Sequence, residues 1–287
     1  MMAALALCGL IAVSLAGYGL FGERRRLRVV RHTIRSRRVP PGFDGITIVQ
    51  FSDVHLGPYY SLRQLDELVN AINSLRPDLV AFTGDLHDAR RKDNIAKYDP
   101  SPVLSRIQAR LGKFAVYGNH DFGYERKLRS SGAFLSRGGF TVLINDARRV
   151  TLPGGEFMTI AGLDDCMLGK PNPSKAASKL HPDRFNVLLV HEPDVADRLA
   201  RYPIDLQLSG HSHGGQVVLP LVGALVRTSL GRKYVGGLYR IGSRFRDKRP
   251  YVLHVNRGVG TTRIPVRIRC VPELTVITLR CEEQSRD

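Results

Sequence analysis

At 287 residues the chain is long enough for one large domain with a buried core, or for two small ones. Its 43% hydrophobic and 24% charged residues exclude a disordered or fibrous chain. The 43 Lys and Arg against 26 Asp and Glu leave a net charge of +17, which points to an anionic partner: a phosphoester, a nucleic acid or an acidic membrane surface. The four cysteines, at positions 8, 166, 270 and 281, have no CxxC spacing, so neither a zinc ribbon nor a disulfide framework is indicated.

Residues 1–22 carry no charged side chain. As a helix rising about 1.5 Å per residue they reach about 33 Å, enough to cross a bilayer core of about 30 Å. No basic region precedes this run and no Ala-x-Ala site closes it, which favours an uncleaved anchor over the alternative, export through a cleaved signal. Eight arginines follow between positions 24 and 38, a cluster that holds its side of a span in the cytoplasm. The expected division is therefore a transmembrane anchor helix at 1–22 in the inner membrane and a basic juxtamembrane segment at 23–41. A domain over 42–282 follows, opened by Pro40-Pro41-Gly42, and a polar tail at 283–287 ends the chain. The arginines suit an anionic lipid surface; nucleic acid is disfavoured because no aromatic residues interleave them to stack bases.

Inside the domain, five apolar runs each end in a polar loop. Residues 45–51 form a β-branched strand pattern that stops at Ser52-Asp53-Val54-His55. An apolar stripe at 62, 65, 68, 69, 72 and 75 predicts a helix, with Ser61 and Gln64 as its capping box. Residues 79–82 form a second strand, ending at Thr83-Gly84-Asp85, and Ser101-Pro102 opens a short helix. A strand at 114–117 stops at Gly118-Asn119-His120-Asp121, and one at 186–190 stops at His191-Glu192-Pro193, after which Asp194 is placed to cap a short helix. The last, at 204–208, stops at Ser209-Gly210-His211-Ser212-His213. A further strand is expected at 157–161. The carboxyl edge of such a sheet is where loops converge on one crevice.

The polar exits supply Asp53, His55, Asp85, Asn119, His191, His211 and His213. Seven oxygen and nitrogen donors are too many for one tetrahedral ion and suit two divalent ions bridged by one carboxylate. The i, i+2 spacing of Asp53 with His55, and of His211 with His213, would aim each pair to one side of an extended backbone. Among their neighbours, His87 and Asp88 read as polar loop residues ahead of a supporting role behind the ligands, Asp164-Asp165 as loop caps ahead of orienting a ligand, His181 and His254 as structural, and Tyr59-Tyr60 as packing residues ahead of substrate contacts.

In order and content, Asp53-Val54-His55, Gly84-Asp85, Gly118-Asn119-His120-Asp121, His191 and Gly210-His211-Ser212-His213 resemble the five blocks of the calcineurin-like metallophosphoesterases, and most of all a membrane-associated or exported bacterial branch. The resemblance implies an α/β fold, an αββα four-layer sandwich with a dinuclear site at one edge. It implies that Asp53, His55, Asp85 and His213 hold one ion, and that Asp85, Asn119, His191 and His211 hold the other. His120 becomes the catalytic histidine, oriented by Asp121. Ions about 3.5–4 Å apart acidify a shared water and polarise phosphoryl oxygens, so that hydroxide attacks phosphorus in line while His120 protonates the leaving oxygen. Mn, Fe, Zn and Co all accept such donors. The motifs of protein phosphatases and the tyrosine ligand of purple acid phosphatases are absent near Asp85. The expected substrate is then a lipid-linked diphosphate such as UDP-2,3-diacylglucosamine of lipid A synthesis, or else nucleotide or cell-envelope phosphoesters taken by a broad phosphodiesterase or phosphatase. A non-enzymatic scaffold would be expected to lack some of these donors, and none is missing.

Overall fold

The computed structural model describes residues 16–88, 97–123, 129–242 and 251–282, together with residues 1, 2, 9, 10 and 14. Its strands, in chain order, are β1 (Arg28–Ser36), β2 (Thr47–Phe51), β3 (Leu79–Phe82), β4 (Lys113–Ala115), β5 (Thr141–Val142), β6 (Asp146–Thr151), β7 (Phe157–Gly162), β8 (Asn186–Leu189), β9 (Leu206–Ser209), β10 (Val218–Leu219), β11 (Gly223–Ala224), β12 (Gly237–Ile241), β13 (Tyr251–Val255) and β14 (Glu273–Cys281). The α-helices are α1 (Leu62–Ser74), α2 (Ser101–Leu104), α3 (Gly132–Arg137), α4 (Pro173–Ala177) and α5 (Ala196–Leu199).

Twelve of these strands make two six-stranded sheets, ordered β1-β14-β2-β3-β4-β5 and β12-β13-β9-β8-β7-β6. In the first, β2 to β5 run parallel and β14 is antiparallel to β2; in the second, β7, β8, β9 and β13 run parallel. Every residue of β3, β8 and β9 is buried, as a parallel strand covered on both faces requires.

The covering layers follow from the side chains. Ile48, Leu79 and Ile277 of the first sheet meet Ile160, Val187 and Leu206 of the second in one apolar interface. α1 lays Leu65, Leu68, Val69 and Ile72 on the outer face of the first sheet, against Val49, Phe51, Val80 and Phe82. Ala176 of α4 with Ala196 and Leu199 of α5 closes the outer face of the second sheet over Leu188, Leu253 and Val255. This is the four-layer αββα order that the resemblance implied. The expected capping box of α1 is formed, with the Gln64 N–H donating to Ser61 Oγ at 3.3 Å and the Ser61 N–H to Gln64 Oε1 at 3.0 Å. Asp194 caps no helix; its carboxylate accepts from the backbone N–H groups of Arg232, Lys233 and Tyr234 and so ties a distant loop to the start of α5.

The N-terminal region departs from expectation. Ordered sheet begins at Arg28 and not near residue 42, because β1 runs in parallel register along β14 from Arg28 opposite Glu273 to Ser36 opposite Cys281. Arg31 and Arg35 face solvent, while Ile34 between them is buried, the alternation of an edge strand. Upstream, Tyr18–Gly22 and Glu23–Arg25 are short π and 3-10 turns. They are docked on the domain: the Arg267 N–H donates to the Gly19 carbonyl at 3.1 Å, and the buried Glu23 carboxylate accepts the Cys270 N–H. The segment expected as a membrane tether is thus part of the fold. Among the described residues no helix is long and apolar enough to cross a membrane. Residues 3–8, 11–13 and 15 of the expected anchor, and the tail at 283–287, lie outside the described residues.

A chain started at Gly42 loses β1 and exposes the edge of β14 together with the sites where Ile34 and Val39 are buried. Burying one such side chain stabilises by about 1.5–3 kcal/mol, so with two lost the change relative to a chain started at Leu20 is expected to be about 3–6 kcal/mol. At about 2–4 °C per kcal/mol, thermal unfolding should show it; equal melting temperatures for the two chains would contradict the boundary.

Candidate metal centre

β2, β3, β8 and β9 end side by side, and the loops after them bring Asp53, His55, Asp85, His191, His211 and His213 into one buried cluster, each at most 4% exposed. The backbone at these pairs is not extended. Asp53, His55, Asp85, His211 and His213 all have positive φ, between 49° and 68°. Each is a side chain held in the left-handed region at a cost on the order of 1 kcal/mol or more, and such strain concentrates where function requires it.

The donors fall into two groups whose candidate ligand atoms lie within 4.8 Å of one another: Asp53, His55 and His213, and then Asp85, His191 and His211. His55 Nε2 lies 3.0 Å from His213 Nε2, and Asp53 Oδ1 lies 3.4 Å from His213 Nε2 and 3.9 Å from His55 Nε2. Asp85 Oδ2 stands between the groups, 3.5 Å from His55 Nε2 and 3.3 Å from His191 Nε2. Two donors about 2.1 Å from a shared ion can be no more than about 4.2 Å apart, so these separations fit two ions with Asp85 common to both. Asn119 follows Gly118 at the next loop, and its buried Oδ1 has no hydrogen-bond partner, as a ligand oxygen would without its ion. The Asp and His residues are arranged to bind a dinuclear metal site.

Around the donors, backbone groups fix their orientation. His191 Nδ1 lies 2.6 Å from the Thr83 carbonyl, so its proton is donated there and Nε2 faces the carboxylates. His211 Nε2 lies 2.6 Å from the Ser229 carbonyl, leaving Nδ1 as its metal-facing nitrogen. Both oxygens of Asp53 accept the His211 N–H, and Asp85 Oδ1 accepts the His120 N–H at 2.8 Å. Gly118 and Gly210 cannot be replaced without collision: a Cβ on the first would strike the Asp85 carboxylate and the His191 ring, and one on the second Ser52 and Asp53.

Asp121 does not orient His120. Fully buried, it accepts the backbone N–H groups of Asp85 and Gly118 on Oδ2 and of Leu86 on Oδ1, clamping the loop that carries Asp85. The carboxylate beside the His120 ring is that of Asp88, 3.8 Å from Nδ1, with His55 edge-on to the same ring. The sequence favours a loop residue at Asp88 over a supporting one, and its place three positions after Asp85 is the signal for the latter. Nothing in the sequence distinguishes Arg267 from the arginines around it. Its guanidinium is fully buried and donates to the carbonyls of Arg257, Gly258, Gly260 and Cys270. The turn so held donates the Gly260 N–H to the Asp53 carbonyl at 2.8 Å. His87 packs on Phe134 and meets the Tyr98 carbonyl, His254 bonds Gln50, and Asp165 caps the amides of 167–169.

Charge in the cluster is strongly coupled. Burial pushes the Asp53 carboxyl up to about 7, with His191 opposing and Asp85 reinforcing the rise. Burial also resists charge on Asp85 and on His191, but their mutual attraction outweighs it, drawing Asp85 well below and His191 well above their ordinary values. Burial lowers His211 to about 4 and holds His213 well below its ordinary value, so both are neutral at pH 7, as metal ligands must be.

The family description "Calcineurin-like phosphoesterase" matches residues 46–215. The chain is 42% identical to the uncharacterized metallophosphoesterase YkuE of Bacillus subtilis, across 98% of this chain and 95% of YkuE. It is 31% identical to the phosphodiesterase YaeI of Escherichia coli, across 92% of each. Among solved structures, the Haemophilus influenzae NAD nucleotidase NadN shares the fold, with a TM-score of 0.51 at 14% identity, over 75% of this chain and 50% of NadN.

Protons on Asp53 and His191 must leave before a metal binds, because burial raises Asp53 to about 7 and the neighbouring carboxylates raise His191 well above its ordinary value. Metal affinity should therefore fall from about pH 7 to about pH 5 by roughly tenfold per pH unit for each proton displaced. Titration calorimetry in buffers of different ionisation enthalpy measures this release; an affinity flat across that range would contradict it.

Proposed function

The chain belongs to the calcineurin-like phosphoesterases, and from that premise we propose that it hydrolyses a lipid-linked phosphodiester or diphosphate at the Asp53–His213 cluster, with His120 as the acid for the leaving oxygen. The observation that carries the hydrolytic reading is the convergence of five left-handed Asp and His residues, with the unpaired Asn119 oxygen, on one buried point. Asp53, His55, Asp85 and His213 would hold one divalent ion, and Asp85, Asn119, His191 and His211 the other. When bound, such ions supply positive charge to phosphoryl oxygens and acidify water.

The protein's own part is positioning and proton delivery. Asp85 is fastened at both ends, by the His120 N–H on its carboxylate and by Asp121 on its backbone N–H, so it stays fixed between the two groups of donors. His120 is less buried than the donors, at the rim of the cluster, where an imidazole can meet substrate. Asp88 lies beside its ring, 3.8 Å from Nδ1, and an imidazole at this rim can hand a proton to a departing oxygen. Asp121 then acts as a positioning residue for Asp85.

The lipid-linked substrate is supported by the apolar run at 1–22 and the arginines after it, which would hold the domain at the cytoplasmic face of a membrane. Docking of Gly19 and Glu23 on the domain favours retention of that run over its cleavage. Similarity to the phosphodiesterase YaeI supports a diester.

His120→Ala should lower turnover of a chromogenic phosphodiester by about 10²–10⁴-fold with two metals per chain retained, while Asp85→Ala loses metal and turnover together; equal metal loss in both, by elemental analysis, would overturn these roles. Metal-loaded protein should also release a lipid-linked monophosphate from UDP-2,3-diacylglucosamine in detergent micelles. Failure there, with rapid cleavage of soluble diesters, would leave the broad phosphodiesterase reading in its place.

A further inference from the structure

We propose that the metal-bearing end of the molecule seats on an anionic lipid bilayer through the β10–β11 hairpin and the N-terminal segment beside it; this deepens the lipid-linked reading above and rests on it. Val218 and Leu219 pair with Ala224 and Gly223, and the tip between them is Pro220-Leu221-Val222. Leu221 is fully exposed, and Val222 and Leu225 are more than half exposed. Protruding aliphatic side chains of this kind gain nothing from water and mark a surface that is covered in use.

The hairpin and the N-terminal segment flank one stretch of chain. The Val218 N–H donates to the Ile268 carbonyl at 2.9 Å on one side, and the Arg267 N–H donates to the Gly19 carbonyl at 3.1 Å on the other. Phe21 on the N-terminal segment and Ile264 at the head of the shared stretch are exposed as well. The topology places all of this at the metal edge. β1 is parallel to β14, which is antiparallel to β2, so the Arg28 end of β1 lies beside the end of β2 that leads into Asp53. Gln216, three residues past His213, donates to the carbonyls of Thr262 and Ile264, tying the hairpin base and the flanking loop to the cluster.

Charge identifies the occupant. Arg25, Arg227, Arg263 and Arg269 are exposed around the apolar tips, and no acidic residue occurs in 206–246 or 248–272. Aliphatic tips inside a ring of guanidinium groups match a bilayer interface, where the tips enter the acyl boundary and the cations meet phosphates. The apolar run at 1–22 leads into the same surface. Seated in this way, the cluster would receive a phosphoester whose lipid tail stays in the bilayer.

The chain contains no tryptophan, so Leu221→Trp in the full-length protein provides a single emitter at the tip, where the side chain touches nothing that folding needs. A matched emitter at the opposite end comes from Gly154→Trp, in the β6–β7 turn, where added atoms meet open space. With phosphatidylglycerol vesicles the tip emission should shift to the blue and be quenched by brominated acyl chains, more weakly at high salt, while the Gly154→Trp emission stays constant. An unchanged tip emission on vesicles that bind the protein would overturn the proposal. So would a blue shift that grows with protein concentration without lipid, which would assign the tip to a second copy of the chain. Since no hydrolysis is read, a negative result removes the seat and leaves the metal-centre assignments standing.

Discussion

Five Asp and His residues held at positive φ set the terms for the rest of the structure. At about 1 kcal/mol or more each, their backbones cost on the order of 5 kcal/mol, comparable with the whole stability of a marginal domain. The surroundings offset that cost with specific hydrogen bonds: Asp121 on three backbone amides, the Thr83 and Ser229 carbonyls on two imidazoles, and the Arg267-held turn behind Asp53. The buried sheets supply the rigidity against which these contacts work. Strand ends that are fully buried on both faces cannot relax to let a strained loop unwind.

The same constraint explains the electrostatics. Two carboxylates and four imidazoles are removed from water together, so burial raises the Asp53 carboxyl and the charge of the neighbouring carboxylates raises His191. A pair of cations would resolve both, replacing protons with charge that the donors already surround.

Much of this was legible in the sequence because it rests on periodicity and on polar residues at strand exits. β-branched runs that stop abruptly at Asp, His or Asn identify both the sheet and its working edge, and Ser61 with Gln64 fixes the start of α1. Geometry inside the loops was not legible. The i, i+2 pairs suggest extended backbone, whereas Asp53, His55, His211 and His213 take left-handed conformations. Asp121 follows His120 in the chain but turns away from it, and Asp88 takes the place beside the ring. β1 was hidden by its own charge: the outward arginines of an edge strand look like a tether when only Ile34 is well buried. Arg267 is one arginine among many until the four carbonyls around it are seen.

The most direct measurement is anomalous diffraction from crystals of the metal-loaded protein. Two peaks in each molecule are expected, one contacted by Asp53, His55 and His213, the other by Asn119, His191 and His211, with Asp85 touching both. A single peak, or peaks away from these side chains, would contradict a dinuclear centre in this cluster.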